Sequence, residues 1–148
     1  EAQFDLLIEI RDKITETYDA IKTIRDLKDQ ISEVTAGADE DLRQAGSSLA
    51  EKLTAVEEEL INPRIEYRED CWNFPSKLNH FFSYLAQKVG TGDYRPTDAA
   101  YERYEELESM LKEQKNRLQE ILDTDLMELN QTLSGMSLET LEPKSMSR

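Results

Sequence analysis

The longest periodic segment of this chain is residues 4–34, FDLLIEIRDKITETYDAIKTIRDLKDQISEV. Spacings of three, four and seven place its apolar residues on one face and predict an α-helix from about Phe4 to about Val34. Tyr18 and Leu27 widen the apolar stripe, as packing inside a bundle requires, whereas Thr17 interrupts a pure heptad seam. The periodic residues are Leu7, Ile10, Ile14, Ile21, Ile24 and Ile31.

A second helix is predicted from Asp39 to about Ile61. Gly37 separates it from the first helix, because glycine adopts the left-handed conformation of a helix C-cap at little cost. Pro63 ends it, because the residue before a proline is pushed out of the helical region. Gly46 and the two serines after it weaken the middle of this helix and permit a bend there. The apolar positions are Leu42, Ala45, Leu49, Leu53, Val56 and Leu60.

Two further helices are predicted after a charged connection over 62–73. A short helix over about 75–89 carries the densest apolar cluster of the chain, and the Gly-rich segment 90–93 closes it as a turn. The fourth helix is the longest, over about 98–134, with Thr97 as its N-cap. Its stripe consists of Tyr101, Tyr104, Leu107, Leu111, Leu118, Ile121 or Leu122, Leu126, Leu129 and Leu133.

These segments predict an all-α fold, an antiparallel bundle of about four helices, two long and two shorter. No run of residues has the alternation of a β-strand. We expect the bundle domain to span 1–134 and the Ser-rich segment 135–148 to be a disordered, flexible tail. A chain of 148 residues is long enough for one hydrophobic core.

The charge balance restricts the partners of the chain. It has 32 acidic and 18 basic residues, for a formal net charge of -14. That field repels phosphate backbones and anionic lipids, so we expect neither nucleic-acid binding nor membrane insertion. No apolar run approaches the ~20 residues that cross a bilayer, and we expect a soluble protein. Cys71 is the single cysteine, so no internal disulfide forms and the compartment stays open.

We expect no signal peptide within residues 1–15, since Glu1, Asp5 and Glu9 lie among the first apolar residues. The chain also begins without an initiator methionine. We therefore expect a mature form or a fragment of a longer protein.

Self-contained catalytic chemistry is not expected. Cys71 and His80 are the only residues of their types, and nothing in their spacing pairs a nucleophile with a base. One Cys and one His cannot form a zinc site, and Lys77 stands where a di-iron bundle needs a Glu three residues before the His. The acidic run Glu57-Glu58-Glu59 is interpreted as a solvated helix end. We predict no catalytic residue, no cofactor and no metal in this chain.

One aromatic cluster surrounds the predicted third helix and the start of the fourth. Two interpretations are open: the core where the two helices meet, or a surface that docks a partner. The members are Trp72, Phe74, Phe81, Phe82, Tyr84, Tyr94, Tyr101 and Tyr104.

Four blocks of the sequence carry a family resemblance. They are residues 11–31, residues 52–60, Asn-Phe-Pro-Ser-Lys-Leu-Asn at 73–79, and Gly-Asp-Tyr-Arg-Pro-Thr at 92–97 leading into Tyr101 and Glu105-Glu106-Leu107. In that order, over roughly 11–125, they resemble the C-terminal helical region of bacterial sortilin/Vps10-type (BNR-like) β-propeller proteins, which are often labelled glycosyl hydrolases. The loop 62–72 and the segment after about 125 are less similar to that family.

The resemblance implies that one or two β-propellers precede this region in a parent protein, and it is compatible with a secreted or periplasmic parent. This chain has no Asp-box pattern of its own, and the resemblance carries no catalytic residue over to the helical region. We expect a non-catalytic C-terminal interaction module whose partner is a propeller of the same parent or another protein. Two alternatives are a coiled-coil element that forms homo-oligomers and the helical part of a glycosidase whose catalytic groups lie in the propeller.

Overall fold

The computed structural model describes residues 1–144, and this part of the chain is all-α, as predicted. Helices α1, α2 and α3 are followed by α4, a π-helical segment and α5, and a 3-10 turn lies between α2 and α3. The bounds are α1 Ala2–Thr35, α2 Glu40–Leu60, the turn Arg68–Trp72, α3 Leu78–Gly90, α4 Asp98–Ile121, the π segment Leu122–Leu126 and α5 Met127–Gly135. No helix in the described part of the chain is long and apolar enough to cross a membrane.

Local capping explains the predicted boundaries between α1 and α2 and at the start of α4, whereas α3 begins at Leu78 and not at about 75. Gly37 has φ 75°, the left-handed conformation expected between α1 and α2. The Asp39 carboxylate accepts a hydrogen bond from the Leu42 amide at 2.9 Å. The Thr97 hydroxyl accepts one from the Ala100 amide at 3.2 Å, as the N-cap prediction requires. Each cap satisfies an amide that the first turn of a helix leaves without a partner.

The chain divides into two compact units, each made of separate segments. Unit 1 contains Glu1–Asp19 and Glu58–Gln114, and unit 2 contains Ala20–Glu57 and the described residues from Lys115 onward. Helices α1, α2 and α4 therefore each contribute residues to both units.

In unit 1, α1 and α3 pack in opposite directions. Gln3, near the start of α1, donates to the carbonyl of Val89 at the end of α3 at 2.7 Å, and Asn79 at the start of α3 donates to the Tyr18 hydroxyl at 3.4 Å. The buried apolar residues of this unit are Leu6, Ile10, Leu60, Leu78, Phe82, Leu85, Val89, Tyr104, Leu107 and Leu111.

In unit 2, α1 and α2 are also antiparallel, and they approach closely at Gly46. A Cβ at Gly46 would lie 2.7 Å from Thr35 Cγ2 and 3.1 Å from Ile31 Cγ2. The sequence assigned Ala45 to the apolar stripe, but Ala45 is exposed and Gly46 is buried instead. Helix α2 continues through Gly46 without a break. The glycine therefore allows close contact between the two helices and does not interrupt α2. The buried apolar residues of this unit are Ala20, Ile21, Ile24, Leu27, Ile31, Leu42, Leu49, Leu53, Val56, Leu118, Leu126, Leu129, Leu133 and Leu141.

Three polar or aromatic residues depart from the burial that the sequence predicted. Thr17 is fully buried, with its hydroxyl donating to the Lys13 carbonyl at 2.8 Å, whereas Tyr18 beside it is 47% exposed. Glu57 was assigned to a solvated helix end, but it is buried near Arg25 and Lys28 at 3.6 and 3.7 Å. Burial removes water from the Glu57 carboxylate, and the charges of Arg25 and Lys28 offset part of that loss.

The predicted long helix over 98–134 is interrupted by the π segment Leu122–Leu126. Leu118, Leu122 and Leu126 are spaced four and four. In a regular α-helix residues eight apart differ by about 80° around the axis, because each residue turns about 100°. The wider π turn reduces this drift and keeps Leu118 and Leu126 buried together. Asp125, within the segment, also forms an ion pair with Lys52 of α2.

The predicted tail begins where α5 ends. Residues 138–144 form no helix or strand, and we call this segment the C-terminal strap. Within it Leu141 is buried, and both of its backbone polar groups are hydrogen-bonded to Asn130. Residues 145–148 of the predicted tail lie outside the described residues.

The close approach at Gly46 predicts a measurable coupling with Thr35. Gly46→Ala adds helix propensity of about 1 kcal/mol, but its methyl group overlaps Thr35 Cγ2, and overpacking typically costs about 1–3 kcal/mol. We expect the variant to be less stable than the wild type in urea denaturation. In a Thr35→Ser background, which keeps the hydroxyl and removes Cγ2, the same change is expected to be less harmful or stabilising. Equal effects of Gly46→Ala in both backgrounds would show that the two helices are not in contact there.

Candidate functional site

The aromatic cluster predicted from the sequence divides by burial into core and surface. Phe82 and Tyr104 are buried in unit 1. Phe74, Phe81 and Tyr101 are half-buried. Three members are exposed: Trp72 at 89%, Tyr84 at 60% and Tyr94 at 82%. The core interpretation therefore applies to Phe82 and Tyr104, and the docking interpretation stays a hypothesis for the exposed members.

The exposed side of α3 and the 3-10 turn border a groove of about 560 Å³, which we call the aromatic groove. Phe81 and Tyr84 of α3 line this groove together with Trp72 of the turn. Its lining consists of Arg68, Cys71, Trp72, Ser76, His80, Phe81, Ser83, Tyr84 and Gln87. No acidic residue is among these nine, although the chain has 32.

Local hydrogen bonds hold the turn that carries Trp72. The Asp70 carboxylate accepts from the amides of Glu66 and Tyr67 at 3.0 and 2.9 Å, which satisfies donors at the start of the turn. The side-chain Nδ2 of Asn62 donates to the Pro75 carbonyl at 3.0 Å and joins the two ends of the loop. The charged connection of the sequence prediction is thus an ordered loop that positions Trp72 at the groove.

Cations lie over several aromatic rings of unit 1. The guanidinium of Arg103 is 5.3 Å from the centre of the Phe81 ring, and the ammonium of Lys88 is 5.3 Å from that of Tyr84. Contacts of this kind contribute about 0.5–1 kcal/mol at exposed sites. They cover one face of each ring and add positive charge beside the groove.

Cys71 and His80, which the sequence did not pair, line the same groove. The structure records no hydrogen bond between them, and His80 Nδ1 is buried without a hydrogen-bond partner. A nucleophilic pair needs such a bond, or a ligand that completes it. Within residues 1–144, no group of three His, Cys, Asp or Glu side chains is placed to hold a metal ion.

The sequence did not predict the positions of three polar residues: Asn79, which is buried, and Gln30 and Asn130, which bind backbone groups. Asn79 is buried, and its Oδ1 has no hydrogen-bond partner. Gln30 and Asn130 hold the backbone of the C-terminal strap. The helical period marks such residues as interruptions of an apolar stripe, but it does not identify their partners.

Two groups at the edge of the unit 1 core have raised pKa values. Burial raises the pKa of Tyr104 above 10.0, and the nearby Glu108 carboxylate adds to this. For Lys13 burial acts most strongly and lowers the pKa, but hydrogen bonds and charges from Glu108 and Glu16 together raise it above 10.5. Lys13 Nζ lies 3.1 Å from Glu108 and 3.2 Å from Glu16. Both shifts favour the protonated form in the folded state.

The different burial of Phe81 and Phe82 predicts different losses of stability. Phe82 is 0% exposed, so Phe82→Ala is expected to lower the free energy of unfolding by about 3–5 kcal/mol. Phe81→Ala removes a half-buried ring and is expected to cost clearly less. Urea denaturation followed by circular dichroism measures both. If Phe81→Ala proves as harmful as Phe82→Ala, the exposed side of α3 is part of the core.

The raised pKa of Tyr104 predicts a loss of stability at alkaline pH. The folded state holds the phenol proton more tightly, so this contribution is complete below the unfolded pKa of about 10 and is lost as pH rises through the folded pKa. We expect the urea midpoint to fall as the pH rises above about 10, and to fall less in Tyr104→Phe. Tyr84→Phe, at an exposed tyrosine, is the matched control and should keep the wild-type pH dependence. Identical profiles for all three proteins would contradict a role for Tyr104.

Comparisons of the chain with protein-family models, curated proteins and solved structures found no match. The resemblance of residues 11–125 to the helical region of sortilin-type propeller proteins stays a hypothesis. The functional interpretation therefore depends on the surfaces of the two units.

Proposed function

We propose that this chain is a non-catalytic helical interaction module that binds a protein partner through the aromatic groove of unit 1. One observation carries the proposal. The side chain of Trp72 is 89% exposed, and it lines a groove together with Phe81 and Tyr84. Exposed tryptophan and tyrosine beside a concave surface are typical of residues that dominate binding energy in protein interfaces.

The chemistry of the aromatic groove indicates the kind of partner surface that fits it. Trp72 and Tyr84 offer large apolar areas, and Ser76, Ser83 and Gln87 offer hydrogen-bonding groups. Arg68 is the charged residue of the lining. An apolar projection with a neutral or acidic rim matches this lining, because a basic rim would meet Arg68 without a compensating carboxylate in the groove.

The helical seam is less suited to partner binding than the groove. Ile10, Ile24 and Ile31 belong to the stripe that a coiled-coil dimer would use, and each is at most 4% exposed within the single chain. Pairing two chains through that seam would first expose the core of each chain. This burial favours the docking module over the homo-oligomeric coiled coil.

The absence of catalysis in this chain is part of the proposal. Cys71 and His80 lie at one groove, but neither is hydrogen-bonded to the other as a nucleophile and a general base would be. Glycosidase chemistry, if a parent protein has it, is assigned by this proposal to another domain. The resemblance of residues 11–125 suggests a sortilin/Vps10-type β-propeller as the partner, either in the same parent chain or in another protein.

Substitution of Trp72 and Tyr84 tests the proposal. A recombinant sortilin/Vps10-type β-propeller domain is the probe, and its binding to the full chain is measured by surface plasmon resonance. We expect Trp72→Ala and Tyr84→Ala each to weaken binding by about tenfold or more, the loss typical of a truncated hot-spot aromatic residue. Both side chains are exposed, so the thermal midpoint should remain close to that of the wild type.

Tyr94→Ala is the matched control. Tyr94 is equally exposed and lies in the same unit, but it does not line the aromatic groove, so its removal should leave binding unchanged. An effect of Tyr94→Ala as large as that of Trp72→Ala would show that the groove is not the binding site. Turnover of an aryl glycoside by the isolated chain that is lost in Cys71→Ser would overturn the non-catalytic proposal.

A further inference from the structure

Two side-chain carboxamides of unit 2 each hold one residue of the C-terminal strap by its backbone. Asn130 Nδ2 donates to the Leu141 carbonyl at 2.8 Å, and Asn130 Oδ1 accepts from the Leu141 amide at 2.7 Å. Gln30 repeats this arrangement one residue later: Nε2 donates to the Glu142 carbonyl at 2.9 Å, and Oε1 accepts from the Glu142 amide at 3.2 Å. We call Asn130 and Gln30 the carboxamide clamp.

A carboxamide that offers a donor and an acceptor to one residue satisfies its N–H and C=O together. This is the backbone pairing that a neighbouring β-strand supplies when an extended peptide binds to a sheet edge. Such bonds select an extended backbone and are independent of the side chains. Any segment that presents the same backbone at this position satisfies the clamp equally well.

Side-chain selectivity comes from the apolar residue between the clamp and the helices. Leu141 is 5% exposed, and it borders a cavity of about 450 Å³. Leu118, Leu122, Leu126 and Met127 line the same cavity from the helical side. Two of these leucines belong to the π segment, a distortion that occurs frequently at functional sites.

Charge adds a second element of selectivity at the end of the strap. Lys144 Nζ lies 3.2 Å from Asp26 Oδ1. Asp26 Oδ2 also accepts a hydrogen bond from Gln30 Nε2 at 2.9 Å, so one carboxylate orients the clamp and faces the cation. Pro143, between Glu142 and Lys144, has no N–H and cannot extend the backbone pairing beyond Glu142.

We propose that the clamp and its cavity form a second binding site, for an extended peptide of a partner protein with leucine, proline two residues later and then a basic residue. In this chain Leu141–Lys144 occupy that site as an internal ligand. The proposal goes beyond the docking function of unit 1 and depends on different residues. It makes the strap a competitor that a partner peptide must displace.

The strap is suited to displacement because few contacts hold it. Four backbone hydrogen bonds to two side chains, one from the Leu138 amide to the Leu133 carbonyl, one buried leucine and one ion pair attach it to the helices. Segments without secondary structure open locally at lower free energy than the helical core. A peptide in solution binds only while the strap is open. Its apparent affinity is therefore proportional to the fraction of time that the strap leaves the site open.

A labelled peptide with the sequence of residues 136–144, Met-Ser-Leu-Glu-Thr-Leu-Glu-Pro-Lys, tests the proposal by fluorescence anisotropy on the full chain. Leu141→Ser in the protein removes the apolar anchor of the strap and increases the fraction of time that the site is open. We expect this variant to bind the peptide at least about tenfold more tightly than the wild-type chain. A peptide with serine in place of the leucine before Glu-Pro-Lys should not bind.

Asn130→Ala in the Leu141→Ser background is expected to abolish binding, because it removes both hydrogen bonds to the peptide residue that replaces Leu141. Asn116→Ala is the matched control, since Asn116 is an exposed asparagine of unit 2 that does not line the cavity. Circular dichroism verifies that each variant keeps its helix content. A folded Leu141→Ser chain that binds the peptide no better than the wild type would overturn the proposal.

Hydrogen exchange of the wild-type chain gives a second test that does not depend on the folding of any variant. An excess of unlabelled peptide should accelerate exchange at the amides of Leu141 and Glu142, because displacement of the strap breaks their bonds to the clamp. The serine-substituted peptide should have no effect. Unchanged exchange at both amides in excess peptide would show that the strap is a permanent part of the fold.

Discussion

The structure depends on the single apolar stripe of α1, because a helix with polar residues on its other faces must bury that stripe against other segments. Leu6 and Ile10 are buried in unit 1, and Ile21, Ile24 and Ile31 are buried in unit 2. Each unit is therefore completed by residues distant in sequence from the part of α1 that it contains. The other helices supply matching apolar faces, and the acidic residues are left mainly to the polar sides.

Burial of the apolar stripes of the helices requires that the polar residues buried with them be satisfied. Thr17 and Thr35 do so locally, since each hydroxyl donates to the carbonyl four residues earlier at 2.8 and 2.7 Å. Glu57 lies near two cations, but its Oε2 is buried without a hydrogen-bond partner. Asn79 Oδ1 and His80 Nδ1 are likewise buried without one. Each such atom lowers the stability of the fold.

The two units present surfaces of different physical character. The aromatic groove of unit 1 is open, with Trp72 almost fully exposed, and suits a partner that covers large rings. The clamp of unit 2 recognises a backbone and is occupied by the strap of the same chain. In the proposed function, the aromatic groove binds one partner by apolar area and the clamp binds another by peptide geometry. Neither mode requires a reactive group.

The amino-acid sequence by itself determined the helices and their caps, because the apolar period and residues such as Gly37 and Thr97 act through local geometry. It also indicated where the aromatic residues concentrate. Only the tertiary structure decided that Gly46 is buried and Ala45 exposed, and that Trp72 lies on the surface. The reason is physical: the period shows which residues share a face of a helix, but burial, the π turn and the pairing of polar groups depend on what that face meets.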